Sequence, residues 1–382
     1  MDTNYWIYED YFIFKPYFNG SLDDYVDIIS NYGKLIFSNY YDIEICFKTN
    51  NKYDSNYHKN YGGSMFNQPV SGGVFDKLTQ LQQLTFGLRF NQPISHNGVG
   101  SFDKLTQLQQ LTFGSQFNQL VDGEALDKLT QLKKLTLSGS FNQPIGNALD
   151  KLTQLQQLTF GDMFNQLVDG VFDNLSQLKQ LTFGWDFNQP IGKALDKLTQ
   201  LEQLTFGNDF NQPVSGSFDK LTQLQQLTFD DLFNQPVGKA LDNLINLKQL
   251  TFGYYFNQPV GGVFDKLTQL EQLTLGCKFA QQLDIPFNIK VLKLNCNNIH
   301  ITNNLPNSIQ EIYFGIDFDL ELNDLPNSIK IISFHSASKY KKELNNLPKS
   351  LEKLYLPDEY YREIKNINLS CQIIYQPKKI DF

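Results

Sequence analysis

Catalysis and metal binding need particular side chains at particular spacings. This 382-residue chain offers four histidines, four cysteines and forty carboxylates from which to build them. The histidines, His58, His96, His300 and His335, stand singly, with none of the short spacings that gather metal ligands. No G-x-S-x-G, H-E-x-x-H, phosphate-binding loop or C-x-x-C motif occurs. The acidic residues return as copies of fixed places in a repeat, Asp127 and Asp150 among them, and a residue present in every copy serves structure before catalysis. Four cysteines in a chain this long do not make a disulfide framework. Cys277 and Cys296 fall at the same place of consecutive repeats, which makes them near neighbours. They are open to reading as a redox or metal pair, or as two reduced thiols, and a cytosolic setting favours the second. The chain reads as non-enzymatic, with no cofactor and no metal.

A different set of residues stands out by varying where everything around it is constant. In "QLQQLTFGLRFNQPI" (80–94) and its copies, only the two residues before the phenylalanine change freely. They read Leu88-Arg89, Ser115-Gln116, Gly139-Ser140, Asp162-Met163, Trp185-Asp186, Asn208-Asp209, Asp231-Leu232, Tyr254-Tyr255 and Cys277-Lys278. From the fifth copy to the eighth they bring in one Trp, two Tyr and several carboxylates. Trp and Tyr favour the centres of interfaces. The candidate partner-binding residues are therefore Trp185, Asp186, Asn208, Asp209, Asp231, Tyr254 and Tyr255. In-register stacking of four repeats would spread them along about 15 Å of one edge, enough for a peptide or a small domain face. Their carboxylates favour a basic partner. Three readings stay open: a partner-reading stripe, variation that nothing constrains, or a uniform polar face that is itself the useful surface.

The elements that would carry this stripe follow from the repeat. Its phenylalanine falls at Phe66, Phe90, Phe117, Phe141, Phe164, Phe187, Phe210, Phe233, Phe256 and Phe279, in steps of 24, 27, 24 and then 23 throughout. The longer step carries extra residues around His96–Val99, expected as a bulged loop. Numbered from the first Leu of L-x-x-L, positions 1, 4 and 6 are apolar, and 4 and 6 share one face of a short strand. Thr at position 5 suits the open face of that strand, and the Gly usual at position 7 ends it. No single unit can bury its own Leu and Phe, so units must stack, each strand becoming one rung of a parallel sheet. Phe at position 10 should then form a ladder, and the Asn after it should bond backbone groups of the next rung. Leu149, Phe172, Leu195, Phe218, Leu241 and Phe264 alternate in size at one place, as though pairs of repeats had been duplicated. The Asp after them (Asp150, Asp173, Asp196) could cap a single helical turn.

Towards the C-terminus the strand stays and the punctuation changes. "LPNSIQEIYFG" begins at Leu305, "LPNSIKIISF" at Leu325 and "LPKSLEKLYL" at Leu347, while 289–299 reads "IKVLKLNCNNI". The last fits L-x-x-L-x-L-x-x-N-x-L, the leucine-rich-repeat pattern. L-P-x-S-I/L blocks beside F-N-Q-P-I/V blocks resemble the FNIP-repeat branch of leucine-rich-repeat proteins, known mainly from amoebae and the large DNA viruses that infect them. The resemblance runs over about residues 60–360. It implies a curved solenoid used for protein–protein contact. Some members join their repeats to an F-box, which recruits a ubiquitin ligase.

Residues 1–62 show neither the leucine-rich three-helix pattern nor the Leu-Pro opening of an F-box. They align with the repeat instead. "YFIFKPYFNG" puts Phe12 and Phe14 at positions 4 and 6 and Phe18-Asn19 at F-N; "KLIFSNYYDIEI" puts Leu35 and Phe37 there and Tyr41 at the phenylalanine place. The spacings, 23 from Phe18 to Tyr41 and 25 from Tyr41 to Phe66, agree. Composition adds exclusions. With a net charge of −8 and no long run of Lys or Arg, the chain lacks the basic stripe of a nucleic-acid binder. The start lacks the basic and apolar regions of a signal peptide, and no stretch approaches 18 apolar residues. The sequons at Asn19, Asn174 and Asn368 read as accidents of an Asn-rich chain.

The expected fold is an α/β, strand-dominated, right-handed leucine-rich-repeat-like solenoid with one continuous parallel sheet on its concave side. Residues 1–62 would be degenerate repeats forming a cap, 63–283 regular F-N-Q-P repeats, and 284–382 L-P-x-S-I/L repeats and a C-terminal cap. The expected function is a non-enzymatic interaction scaffold or adaptor, monomeric, in the cytoplasm (the host's, if viral). Its partner would be an unknown protein or peptide, basic in character, with no nucleic acid and no membrane involved. The alternative is a substrate-recruiting subunit of a ubiquitin ligase.

Overall fold

The structure, a computed structural model, describes residues 4–38, 64–70, 73, 75–96, 99–323, 325–345 and 347–377. The chain divides into two compact units, residues 1–201 and 202–382.

The first unit opens with a hairpin. β1 (Tyr5–Tyr8) runs antiparallel to β2 (Tyr11–Phe14), with Glu9 in the left-handed region (φ 50°) at the turn. From β2 onward the main sheet is parallel. β3 (Lys34–Phe37) pairs with β2, β4 (Gln83–Thr85) with β3, and, after a small hairpin of β5 (Ser95–His96) and β6 (Val99–Gly100), β7 (Gln110–Phe113) pairs with β4. β8 (Lys134–Leu137), β9 (Gln157–Phe160) and β10 (Gln180–Thr182) continue the sheet. The extra residues of the 27-residue step thus form a short antiparallel hairpin, with His96 opposite Val99.

The second unit repeats the arrangement. β11 (Gln203–Thr205), β12 (Gln226–Thr228), β13 (Gln249–Thr251), β14 (Gln272–Leu275), β15 (Val291–Leu294), β16 (Glu311–Phe314) and β17 (Ile331–Phe334) pair in sequence, all parallel. β18 (Leu344–Asn345) precedes β19 (Lys353–Pro357), which joins β17; β20 (Ile364–Lys365) pairs with β18, and β21 (Gln372–Gln376) with β19.

Register is perfect because like lies on like. Leu135, Leu158 and Leu181 are partners in the first unit, and Leu204, Leu227, Leu250 and Leu273 in the second. These leucines are buried to within 1%. Each should contribute about 1.5–3 kcal/mol, and a one-residue slip would turn them all to water. The segment ahead of each strand explains the three-residue spacing of L-x-x-L. Leu105 N–H donates to the Phe102 carbonyl (2.8 Å) and Leu108 N–H to that of Leu105 (2.9 Å). Successive turns of this 3₁₀ type, three residues long, bring every third side chain to the core. Phe102, Leu105 and Leu108 are accordingly fully buried.

Asp150, Asp173 and Asp196 do not start a helical turn. Their backbone N–H groups close the turn before them, on Asn147, Gly170 and Lys193. The cap of this kind belongs to Asp122, whose side chain accepts from Ala125 N–H at the head of the four-residue helix Gly123–Leu126.

The N-terminal alignment holds for the strands. Phe12 partners Leu35 and Phe14 partners Phe37, as the repeat requires. The ring of the β3 rung, however, is Phe66. It lies 5.9 Å from Phe18, nearly parallel (4°), and 4.0 Å from Phe37, matching the 4.0 Å between Phe14 and Phe18. Asn67 N–H donates to Asn19 Oδ1 (2.8 Å). Tyr41 lies outside the described residues. β3 ends at Phe37, and the N–H of Ser38 after it donates to the Phe14 carbonyl.

Candidate interaction surface

F-N-Q recurs for reasons visible atom by atom. Rings at positions 6 and 10 of one rung stack at about 4 Å, as Phe86 with Phe90 (3.9 Å) and Phe206 with Phe210 (4.0 Å). Rings at position 10 of successive rungs stand 6.0–6.1 Å apart, nearly parallel. The Asn carboxamide accepts the backbone N–H of the next Asn. Asn19, Asn67, Asn91, Asn118, Asn142 and Asn165 do so in the first unit, and Asn211, Asn234 and Asn257 in the second, at 2.8–3.0 Å. The Gln side chain reaches back to the preceding Asn, as Gln189 Nε2 does to the Asn165 carbonyl (3.2 Å) and Oδ1 (2.9 Å). The ladder stops at Ala280, whose N–H donates to Asn257 Oδ1 but which has no carboxamide to accept the next.

Beside this ladder runs a second one, made wholly of backbone, at positions 8 and 9. Each position-9 N–H donates to the position-8 carbonyl of the previous rung: Gln116 to Leu88, Ser140 to Ser115, Met163 to Gly139 and Asp186 to Asp162 in the first unit. In the second, Leu232 donates to Asn208, Tyr255 to Asp231 and Lys278 to Tyr254, at 2.8–2.9 Å. The main chain of the variable pair is therefore fixed by bonds that need no particular side chain. Position 7 is Gly because backbones touch there: a Cβ on Gly114 would lie 1.9 Å from the Gly87 oxygen, and one on Gly276 1.8 Å from the Gly253 oxygen.

The seven predicted residues fall in both units. Trp185 and Asp186 belong to the first unit, where Trp185 is 57% exposed and the Met163 of the preceding rung 51% exposed. Met163, an adaptable apolar neighbour, was not among the predicted residues. The other five lie in the second unit and are interlinked. Asn208 Nδ2 donates to Asp209 Oδ1 (2.6 Å), and Asp231 Oδ1 accepts the Tyr254 N–H (3.3 Å). The Tyr254 and Tyr255 rings meet edge to face at 4.8 Å, and Lys278 Nζ sits 5.4 Å from the Tyr254 ring centre. Tyr255 and Leu232 are left exposed.

Asp230 joins this cluster unforeseen. It occupies position 7, where Gly is usual, so it reads from the sequence as the end of a strand rather than part of the stripe. Partial burial, and then the charge of Asp231 beside it, push its carboxyl above the usual carboxylate range. The open face of the sheet also departs from its Gln/Thr uniformity in the second unit. From β15 on, position 5 reads Lys293, Tyr313, Ser333 and Tyr355. Tyr313 hydroxyl donates to Glu311 Oε2 (2.7 Å), and burial raises its pKa to about 12.

Cys277 and Cys296 are free thiols, the first half-buried and the second buried. Burial raises Cys296 to about 12 and also raises Cys277, so neither is a poised thiolate at neutral pH. Among the described residues no three His, Cys, Asp or Glu come together to hold a metal ion. No described helix is long and apolar enough to cross a membrane.

Short parallel strands in strict register, joined by turns and stacked on ladders of identical side chains, define a strand-dominated solenoid of the leucine-rich-repeat class. The chain carries FNIP repeats and a leucine-rich-repeat region. The FNIP Repeat family matches residues 279–317 and 319–359, and the BspA-type leucine-rich-repeat region matches 70–195 in six copies. The FNIP match is narrower than the 60–360 of the sequence resemblance and begins at the rung where the Asn ladder ends.

Among solved structures the chain resembles an internalin, InlF from Listeria monocytogenes, at 15% identity over 85% of this chain and 87% of that one, with a TM-score of 0.52. It also resembles the receptor of the TLR13–ssRNA13 complex at 16% identity over 94% of this chain and 56% of that one, with a TM-score of 0.60. CroV588, described as a circular leucine-rich-repeat protein, matches at 22% identity over 98% of this chain and 77% of that one, with a TM-score of 0.43. The first two likenesses establish the fold and nothing beyond it. No curated protein matches the chain in sequence.

Proposed function

We propose that this protein is a non-enzymatic scaffold that reads a protein or peptide partner with the side chains of its variable edge. The carrying observation is that the backbone of positions 8 and 9 is locked by rung-to-rung bonds while its side chains are free to differ, so chemistry can change there without loss of the stack. In the second unit the site comprises Asn208, Asp209, Asp230, Asp231, Tyr254 and Tyr255; in the first, Trp185 and Asp186 with Met163 beside them. Exposed rings supply apolar area and the carboxylates attract a basic partner and speed its arrival. One structural relative is a complex with single-stranded RNA, but a chain of net charge −8 with an acidic edge suits a basic protein rather than a polyanion. The protein acts in the cytoplasm as a monomer in this reading, with residues 1–62 capping the stack.

A quantitative pull-down tests the proposal. Trp185→Ala and the pair Tyr254→Ala/Tyr255→Ala should each keep the parent's circular dichroism spectrum. At least one should lose partners, because removing a true anchor costs at least ~2 kcal/mol, about thirtyfold in affinity. If both variants bind everything the parent binds, the edge is not the reading surface. Recovery of ubiquitin-ligase core subunits by the parent would favour the recruiting-subunit alternative.

A further inference from the structure

The second unit carries a cleft of about 630 Å³, lined by none of the acidic cluster's residues and opposite to it in charge. Its cations are Lys339, Lys341, Lys342 and Arg362, and its carboxylates Asp317 and Asp319. The balance is two positive charges, on a chain whose total is −8. Asp319 meets only Lys342, at 3.8 Å and in solvent, a pairing worth little. Lys339, Lys341 and Arg362 line the cleft as well, Arg362 lying 5.3 Å from the centre of the Tyr361 ring.

These groups are held in place. Tyr340, between Lys339 and Lys341, is 1% exposed and stacks on Phe334 at 4.3 Å. Leu344, just after the lysines, is fully buried. Tyr360 hydroxyl donates to the Lys342 carbonyl (3.0 Å), and the β18–β20 pairing ties the Arg362 turn to the lysine segment. The backbones that carry the four cations are therefore anchored and need not be brought together when a ligand arrives, which lowers the entropic cost of binding. The remaining wall is apolar: Ile316, 46% exposed, and Ala337.

We infer that this cleft is a second binding site, for an acidic peptide segment that carries an apolar side chain between its carboxylates. The size falls in the range of sites that enclose a ligand, about 300–1,000 Å³. The guanidinium of Arg362 offers the fork that carboxylates match, with the lysines as point charges beside it. The apolar wall at Ile316 asks for more than a bare anion. The two lining carboxylates oppose a densely charged ligand such as a nucleic-acid backbone. Ile316 and Asp317 take positions 8 and 9 of the β16 rung, so the cleft lies further along the same edge, but it shares no residue with the acidic cluster, and its failure would leave the reading of that cluster untouched.

Fluorescence polarisation with a labelled peptide alternating Glu and Leu, titrated with the full chain, tests the inference. Binding should be saturable and weaken as salt rises. It should fall at least tenfold in K341E/R362E, whose changed residues are exposed, and measurably in Ile316→Ser, both with unaltered circular dichroism. A peptide alternating Lys and Leu should not bind. No saturable binding of the Glu–Leu peptide, or affinity unchanged by K341E/R362E, overturns the site. If inorganic pyrophosphate binds as tightly as the peptide and Ile316→Ser changes nothing, the cleft takes phosphates and the peptide assignment falls.

Discussion

Consider Asn165→Ala, one step of the carboxamide ladder. Asn165 Oδ1 accepts the Asn188 backbone N–H (3.0 Å) and Gln189 Nε2 (2.9 Å). Alanine removes both. Gln189 keeps its bond to the Asn165 carbonyl and can turn to water, so its loss is small. The Asn188 N–H, part-buried between stacked rungs, has no such recourse, and an unmet donor of this kind costs about 1–3 kcal/mol. The sum is about 2 kcal/mol, which for a chain of this size should lower the thermal midpoint by about 4 °C, the scale being 2–4 °C per kcal/mol for somewhat smaller proteins. Asn165→Asp provides the control. It preserves an acceptor in the same place and a charge-assisted bond to the N–H, and should lose less than half as much. Melting followed by circular dichroism at matched concentration reads all three proteins. If alanine melts with the parent, or aspartate falls as far as alanine, the carboxamide is not bridging rungs as an acceptor.

Leu204→Asp places a carboxylate where a side chain is 1% exposed, and should lower the melting temperature far more than Asn165→Ala; a shift within error would put position 4 outside the core. Deleting residues 1–62 removes β1, β2 and β3 and leaves the edge of β4 and the rings of Phe66 and Phe86 uncovered, so light scattering should detect aggregation; a monomer with the parent's melting temperature would make the segment an independent domain. Tyr313, at about 12 when folded against about 10 in an unfolded chain, holds its proton longer in the native state. Its contribution is complete below pH 10 and is lost as pH rises towards 12. Cys296 adds a loss of the same sign from about pH 9 upward. The urea midpoint should therefore fall above pH 9–10, and Tyr313→Phe should flatten part of that fall; an unchanged slope would contradict it.

The period and the in-register stack were legible because each fixed place answers to one physical demand repeated many times: Leu204 on Leu227, Phe210 on Phe233, Asn211 to Asn234. Where one demand has two solutions, the sequence was ambiguous. Tyr41 and Phe66 both stand at acceptable sequence spacings from Phe18, and it is ring stacking and the Asn19–Asn67 bond that set Phe66 against Phe18. Asp150 and its copies looked like caps because Asp is a good one, yet backbone turns already satisfy the N–H groups there. Asp230 was missed because a single departure from Gly carries no periodic signal. The basic cleft was invisible for a related reason: Lys339 and Arg362 belong to different loops, and only the β18–β20 pairing brings those loops together.

Stacking fixes the apolar and carboxamide places of a rung, and positions 8 and 9, in the proposed function, are left for recognition. The most direct measurement is a complete substitution scan of one rung, residues 201–214, scored first for folding and then, once a partner is in hand, for binding. Folding should be lost by most changes at Leu204, Phe206, Phe210 and Asn211, and should survive most changes at Asn208 and Asp209. Binding should show the reverse sensitivity among the variants that fold. If Asn208 and Asp209 prove as intolerant for folding as Leu204, or if no folded variant at either place alters binding, the claim is contradicted.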